Sequence, residues 1–69
     1  MKLVHLLQLI DRDRMVEFWI PDEVDKETQE ILCATPADVL YKIDPKWFTF
    51  PATIEHDEKT GRITIKLIL

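Results

Sequence analysis

The chain has 69 residues, a net charge of −4 and 32% charged residues, with one glycine, one cysteine, no serine and no asparagine. Its length predicts one domain, residues 1–69, whose core supplies only about 3–5 kcal/mol of net stability unless a disulfide, a metal or a second chain adds to it. The composition excludes an intrachain disulfide, a serine nucleophile and a glycine-rich phosphate loop, and the shortage of amide side chains beside many charges is typical of thermophilic proteins.

The first segment, residues 3–10, is apolar apart from His5 and Gln8, and two interpretations fit it. Its leucines match the stripe of an amphipathic helix, but the run also matches a strand buried on both faces. We predict a strand, because a polar turn at residues 11–14 and a second apolar segment follow it. The run is too short and polar to span a membrane and lacks a signal-peptide cleavage site, so we expect a cytoplasmic protein.

The second strand is predicted at residues 15–20 and ends at Pro21. Val16, Phe18 and Ile20 share one face, which we assign to the core. Trp19 therefore falls on the opposite face. It either packs across a curled sheet or belongs to a binding surface, because tryptophan is enriched among residues that dominate interface energetics.

Residues 21–45 carry seven acidic side chains against two lysines, so the negative charge is concentrated there. The acidic run predicts either a solvated surface or a contact surface for a basic partner. The scattered basic residues disfavour generic nucleic-acid binding, which needs a basic stripe to neutralise phosphates.

Residues 23–34 contain good helix formers, but their turn residues predict a different structure. The stretch 25–29 resembles the later turn at residues 57–61, and we therefore predict a turn followed by a strand over residues 30–34. Next, Thr35 and Pro36 are typical of a helix start, and Asp44-Pro45 of a helix end, which predicts a helix over residues 36–43.

The C-terminal part, residues 47–69, is predicted to be a β-hairpin whose first strand, residues 47–56, bends at Pro51. Asp57 and Gly61 fit the turn, because the aspartate accepts turn N–H groups and the glycine adopts a positive φ. This turn sets Ile54 opposite Ile65, and the polar side chains fall on the other face. Trp47 falls on the face away from the core, so it either packs under the helix or across the curled sheet, or belongs to a binding surface.

The predicted fold is α+β: a small antiparallel sheet of four to five strands, curled toward a partial barrel, with one short helix near residues 36–43 and the C-terminal hairpin. The last strand ends in Ile68 and Leu69, with no charged residue there to oppose pairing, which makes that strand a template for pairing with another chain. We therefore expect the protein to form an oligomer.

The sequence 55–58, Glu-His-Asp-Glu, resembles a metal or acid–base cluster, but strand alternation sends His56 to one face and its neighbours to the other. We expect His56 at the margin of the core, His5 in an apolar strand and Cys33 as a small buried side chain. No catalytic residue, cofactor or metal site is predicted.

We therefore expect a non-catalytic interaction or regulatory protein that binds a protein partner or itself, with nucleic acid less favoured and no membrane contact. The predicted interaction residues are Trp19, Asp22, Glu23, Asp25, Glu27, Glu30, Trp47, Ile68 and Leu69. One alternative is a dimeric nucleic-acid-binding regulator whose composite basic face contains Arg12, Arg14, Lys46, Arg62 and Lys66. Another is a small enzyme with an inter-chain site around His5, His56 and Cys33.

Overall fold

The computed structural model of the chain describes residues 1–25 and 27–69, which form an α+β fold. The elements in chain order are α1 (Leu3–Leu7), β1 (Val16–Pro21), β2 (Gln29–Ala34), α2 (Pro36–Lys42), a 3₁₀ helix (Pro45–Thr49), β3 (Ala52–His56) and β4 (Ile63–Leu67). The four strands form one sheet in the order β2-β1-β4-β3. The predicted fold class, the short helix after β2 and the C-terminal strand pair are confirmed.

The first segment is a helix, so the prediction of a strand over residues 3–10 is wrong. Leu3, Leu6 and Leu7 are buried on one side of α1, which is the spacing of a helical stripe. Its N-terminal end is fixed by the backbone, since the Leu3 N–H donates to the Phe50 carbonyl at 3.0 Å and the Ala52 N–H donates to the Met1 carbonyl at 2.8 Å. A helix turns its leucines toward the sheet together, whereas a strand would expose half of them.

Strands β1 and β2 are antiparallel and pair from Val16–Ala34 to Pro21–Gln29. The prediction of a turn followed by a strand is confirmed, with β2 beginning one residue earlier than expected. Lys26, in the predicted turn, lies outside the described residues. On β1 the core face is also as predicted, because Val16, Phe18 and Ile20 are buried.

The chain between β2 and β3 contains two proline-led helices. In α2 the Thr35 hydroxyl accepts the Asp38 N–H at 3.2 Å, the predicted cap. The 3₁₀ helix begins in the same way, since the Asp44 carboxylate accepts the Lys46 N–H at 3.0 Å. The C-terminal strand pair therefore starts at Ala52 and not at residue 47, because Pro45 fixes a helical φ and residue 51 is a proline without an N–H for the ladder.

The hairpin of β3 and β4 has the predicted register, with Ala52 opposite Leu67, Ile54 opposite Ile65 and His56 opposite Ile63. Its turn is closed by the Gly61 N–H, which donates to the Asp57 carbonyl at 2.7 Å. Gly61 has a φ of 72°, the left-handed region that glycine adopts without steric penalty.

Strand β4 lies in the interior of the sheet, paired with β3 on one side and with β1 on the other. The β1–β4 pair is parallel, from Val16–Ile63 to Trp19–Lys66, so the sheet is mixed and not wholly antiparallel. The expectation that the last strand offers a free edge is wrong, since its backbone groups are used on both sides. The edge strands are β2 and β3.

The core lies on one face of the sheet. Side chains from α1, α2 and the 3₁₀ helix pack there against the three central residues Phe18, Ile65 and Leu67. The buried residues are Leu3, Leu6, Leu7, Val16, Phe18, Ile20, Ala34, Val39, Trp47, Ala52, Ile65 and Leu67. Because the helices cover one face only, the other face is the main surface left for contacts.

Candidate interaction surface

We call the sheet face that points away from the helices the open face. Strand alternation and the observed register place side chains from all four strands on it. Eight of them are Glu17, Trp19, Ile31, Cys33, Thr53, Glu55, Thr64 and Lys66. Four of these are exposed and four are half-buried by their neighbours, so the face is accessible to another molecule.

Trp19 lies near the middle of the open face and is held by polar neighbours on both sides. Its indole Nε1–H donates to Glu17 Oε1 at 2.6 Å, and Lys66 Nζ lies 4.9 Å from its ring centroid. A cation over an aromatic ring contributes about 0.5–1 kcal/mol at an exposed site. The two contacts fix the orientation of the ring before any partner arrives.

Two ion pairs extend this arrangement across the sheet. Arg62 Nη1 lies 3.7 Å from Glu17 Oε2, and Lys66 Nζ lies 3.4 Å from Glu55 Oε1. Exposed pairs of this kind stabilise a fold by only about 0–1 kcal/mol each. Their main effect here is to link the two charged side chains that contact the indole, Glu17 and Lys66, to partners of opposite charge.

Two exposed apolar side chains lie on the same face as Trp19. Ile31 is its direct partner on β2 and is 54% exposed. Ile68 follows β4 with its N–H donating to the Pro51 carbonyl at 2.9 Å, so alternation puts its side chain on the open face, and it is 45% exposed. We call Trp19, Ile31 and Ile68 the Trp19 patch.

The acidic residues between β1 and β2 have local structural roles. Asp22 Oδ1 accepts the Val24 N–H at 2.8 Å. Asp25 accepts from the Thr28 hydroxyl at 2.7 Å and from the Glu27 N–H at 3.1 Å. The hydrogen bond from Thr28, and then that from Glu27, holds the pKa of Asp25 below its ordinary value. These carboxylates therefore shape the connection as well as charging it.

A cleft of about 380 Å³ joins this acidic connection to the core. Ile20, Pro21 and Trp47 form its apolar side, and Asp22, Glu23, Glu30 and Asp44 lie around it with Lys46. Lys46 pairs with Glu23. Trp47 is only 5% exposed, with its ring centroid 4.7 Å from that of Phe50. It is thus a core residue that reaches the cleft, and it does not lie on an open strand face.

The predicted interaction residues come together only in part. Trp19 and Ile68 share the open face, while the acidic residues and Trp47 surround the cleft. Because β1 and β4 are parallel, exposed Leu69 lies at the end of the sheet that also carries the acidic connection. Sequence reasoning missed Ile31 and Lys66 as neighbours of Trp19. Alternation along each strand indicates which face Ile31 and Lys66 occupy. Only the strand order shows that they lie beside the indole.

The residues of the inter-chain enzyme hypothesis are far apart within one chain. Cys33 and His56 are exposed on β2 and β3, the two edge strands. Three strand spacings of about 4.8 Å separate them. His5 is exposed on α1 and not within a strand. In the part of the chain that the structure describes, no three His, Cys, Asp or Glu side chains are placed to hold a metal ion.

Four of the five basic residues of the nucleic-acid hypothesis already contact groups of their own chain. Arg62, Lys66 and Lys46 pair with Glu17, Glu55 and Glu23. The Arg14 guanidinium donates to the Gly61 carbonyl. A phosphate backbone would have to compete with these contacts.

A second apolar surface lies on the helical side of the molecule. A groove of about 390 Å³ between α1 and α2 is lined mainly by Val4, Leu7, Ile10, Pro36 and Leu40. Tyr41, one residue further along α2, is 89% exposed. Among the residues that the structure describes, none holds the Tyr41 side chain by a hydrogen bond or a cation–π contact as Glu17 and Lys66 hold Trp19, which makes Tyr41 a useful reference for mutagenesis.

Comparison with known proteins adds no relative to these observations. No model of a protein family, no curated protein sequence and no solved structure matches the chain. Within residues 1–25 and 27–69, no helix has the length and apolar character needed to cross a membrane. The function is therefore argued from the geometry of the open face.

Proposed function

We propose that this protein is a non-catalytic interaction protein that binds a protein partner through the Trp19 patch. The observation that carries the proposal is that Trp19, Ile31 and Ile68 lie on one sheet face that the helices leave uncovered. An apolar centre with an aromatic anchor and a charged rim is the usual anatomy of a protein–protein interface.

The fixed orientation of the Trp19 ring supports a binding role, because it lowers the free-energy cost of binding. Complete burial of one large apolar side chain contributes about 1.5–3 kcal/mol, and the three patch residues are only partly buried in the free chain. The indole is already oriented by Glu17 and Lys66, so binding costs less side-chain entropy than it would for a freely rotating tryptophan.

The charge of the protein indicates what kind of partner surface it binds. The acidic connection at one end of the open face favours a partner with basic residues beside its apolar contact. Such complementarity mainly raises the association rate and selects against acidic partners. We therefore expect the association rate to fall as salt is added, while the apolar contact persists.

The test is affinity capture from a lysate of the source cells with three variants of the chain. Trp19→Ala and Ile68→Asp alter the Trp19 patch, and Tyr41→Ala removes an exposed aromatic side chain on α2. We expect a stoichiometric protein captured by the wild-type chain and by Tyr41→Ala, and lost with both patch variants. Circular dichroism of each variant establishes that it is folded.

Nuclease treatment of the lysate separates the alternative class of partner. A partner that survives nuclease and depends on the patch supports the proposal. Retention of that partner by folded Trp19→Ala and Ile68→Asp would refute it. If nuclease abolishes capture, the result supports the nucleic-acid-binding alternative instead.

A further inference from the structure

The two edges of the sheet are not equally protected. At β3 the first residues of the chain cover the start of the edge, through the Leu3–Phe50 and Met1–Ala52 backbone hydrogen bonds and the Lys2–Pro51 bridge. At β2, none of the described backbone hydrogen bonds outside the β1–β2 pairing involves residues 29–34. The outer N–H and C=O groups of β2 therefore face solvent, as in any uncovered edge strand.

The sequence of β2 also lacks the usual devices that keep an edge from pairing. Gln29–Ala34 reads QEILCA, with one charge at its beginning and no lysine or proline. Its side chains are mostly exposed. Natural edge strands that stay single carry lysine, proline or a bulge.

We propose that β2 pairs antiparallel with β2 of a second copy of this chain, so that two four-stranded sheets become one sheet of eight strands. Pairing of like edges is two-fold symmetric and closes with two copies. Pairing of β2 with β3 of another copy would be open-ended and would have to displace the residues that cover β3. The inference uses the edge of the sheet and does not depend on the proposed function.

Alternation of side chains restricts the register. Residues that oppose each other must both lie on the open face or both on the core face. Placing Leu32 on the two-fold axis meets this condition. It sets Ile31 opposite the partner's Cys33 and Glu30 opposite the partner's Ala34. No carboxylate then faces another carboxylate, and the apolar centre of each strand meets its equivalent.

The charges favour this direction of pairing. Residues 22–27, which precede β2, contain four acidic side chains and one lysine. In an antiparallel pair, the two acidic connections lie at opposite ends of the joined strands. Each lies toward the end of the partner that carries residues 11–14, which hold two arginines and two aspartates and are neutral. A parallel pair would bring the two acidic connections together.

The first test is the mass in solution, measured by light scattering and sedimentation equilibrium. We expect twice the chain mass of 8.2 kDa, unchanged at high salt because no ion pair crosses the pairing. Ile31→Lys places an edge lysine on β2 and is expected to have the monomer mass. The matched control is Ile54→Lys on β3, at a site that is 43% exposed, and it is expected to remain a dimer.

The second test is cross-linking, which reads the register directly. With Ile31→Cys, the new thiol lies opposite the partner's native Cys33, within the reach of a disulfide across neighbouring strands. Diamide, which accepts the two electrons and two protons, is expected to convert this variant to a covalent dimer faster than the wild-type chain or Ile31→Cys/Cys33→Ser. Each of those two proteins has one thiol per chain, so its cross-linking rate measures the background from chance collisions.

Two results overturn the proposal. One is a wild-type chain of 8.2 kDa at every concentration tested. The other is Ile31→Cys cross-linking no faster than both single-thiol proteins. Loss of a captured partner in the Trp19 variants would bear on the proposed function and would leave these masses unchanged.

Discussion

Replacing Gly61 by alanine tests the physical basis of the hairpin that places β4 beside β1. Gly61 has a φ of 72°, and a Cβ added there would lie 3.4 Å from Arg14 Nη2. That distance is an ordinary van der Waals contact with the end of a flexible side chain, so the cost of the substitution is conformational. The left-handed region costs a residue with a Cβ about 1–2 kcal/mol.

The unfolded chain offsets part of that cost. Alanine restricts the unfolded backbone more than glycine does, which is worth about 0.4–1 kcal/mol in the opposite direction. The net loss expected for Gly61→Ala is therefore about 1 kcal/mol. In a domain of this size, such a loss lowers the melting temperature by about 4–8 °C.

The assay is thermal unfolding followed by circular dichroism at a fixed protein concentration. Gly61→Asn is expected to lose less than Gly61→Ala, because asparagine tolerates the left-handed region better than alanine. The control is Lys59→Ala in the same turn, where φ is negative and the change is expected to stay within about 0.5 kcal/mol. A Gly61→Ala protein that melts with the wild type would refute the conformational argument.

Three further predictions concern the acidic connection, the core and the tryptophans. The lowered pKa of Asp25 means that its hydrogen bonds stabilise the fold above the ordinary carboxyl pKa of about 3.9, and that this contribution is lost as pH falls through the folded-state value. Asp25→Asn should therefore melt below the wild type near neutral pH and approach it in acid. Melting temperatures that differ by the same amount at all pH values would contradict the assignment. Phe18 is fully buried, so Phe18→Ala should lose about 3–5 kcal/mol of stability. We expect this protein to show no cooperative unfolding transition in circular dichroism, while Phe18→Leu stays folded. A Phe18→Ala protein that unfolds cooperatively at the wild-type midpoint would show that the core is misassigned. Acrylamide should quench the fluorescence of the Trp47→Phe protein, which retains half-buried Trp19, more than that of Trp19→Phe, and the reverse order would exchange the two environments.

The helix at residues 36–42 and the hairpin register were predictable because their determinants are local. Thr35-Pro36 supplies a cap and a preset φ, and Asp57 with Gly61 supplies the turn. The same local signal, Asp44-Pro45, also begins the 3₁₀ helix, although its pattern alone predicts only a helix end. A strand that starts at residue 47 would put Trp47 on a strand face, whereas the 3₁₀ helix packs it into the core.

Long-range pairing accounts for what the sequence did not indicate. The stripe of leucines in α1 fits a helix or a buried strand, and the choice depends on an uncovered sheet face that local pattern does not report. The parallel β1–β4 pair joins segments separated by residues 22–62, and no local signal specifies it. The face of Trp19 could thus be predicted from alternation, but its neighbours Ile31 and Lys66 could not.

The central position of β4 has a consequence for biosynthesis. The sheet lacks an interior strand until residue 67 has been synthesised, and β1 has waited for its parallel partner since residue 21. At a synthesis rate of about 5–20 residues per second, that wait is roughly 2–9 s. During it, the apolar face of β1 with Phe18 lacks β4 as a neighbour. Until β4 has emerged and completed the sheet, the nascent chain therefore exposes apolar strand surface of the kind that chaperones shield.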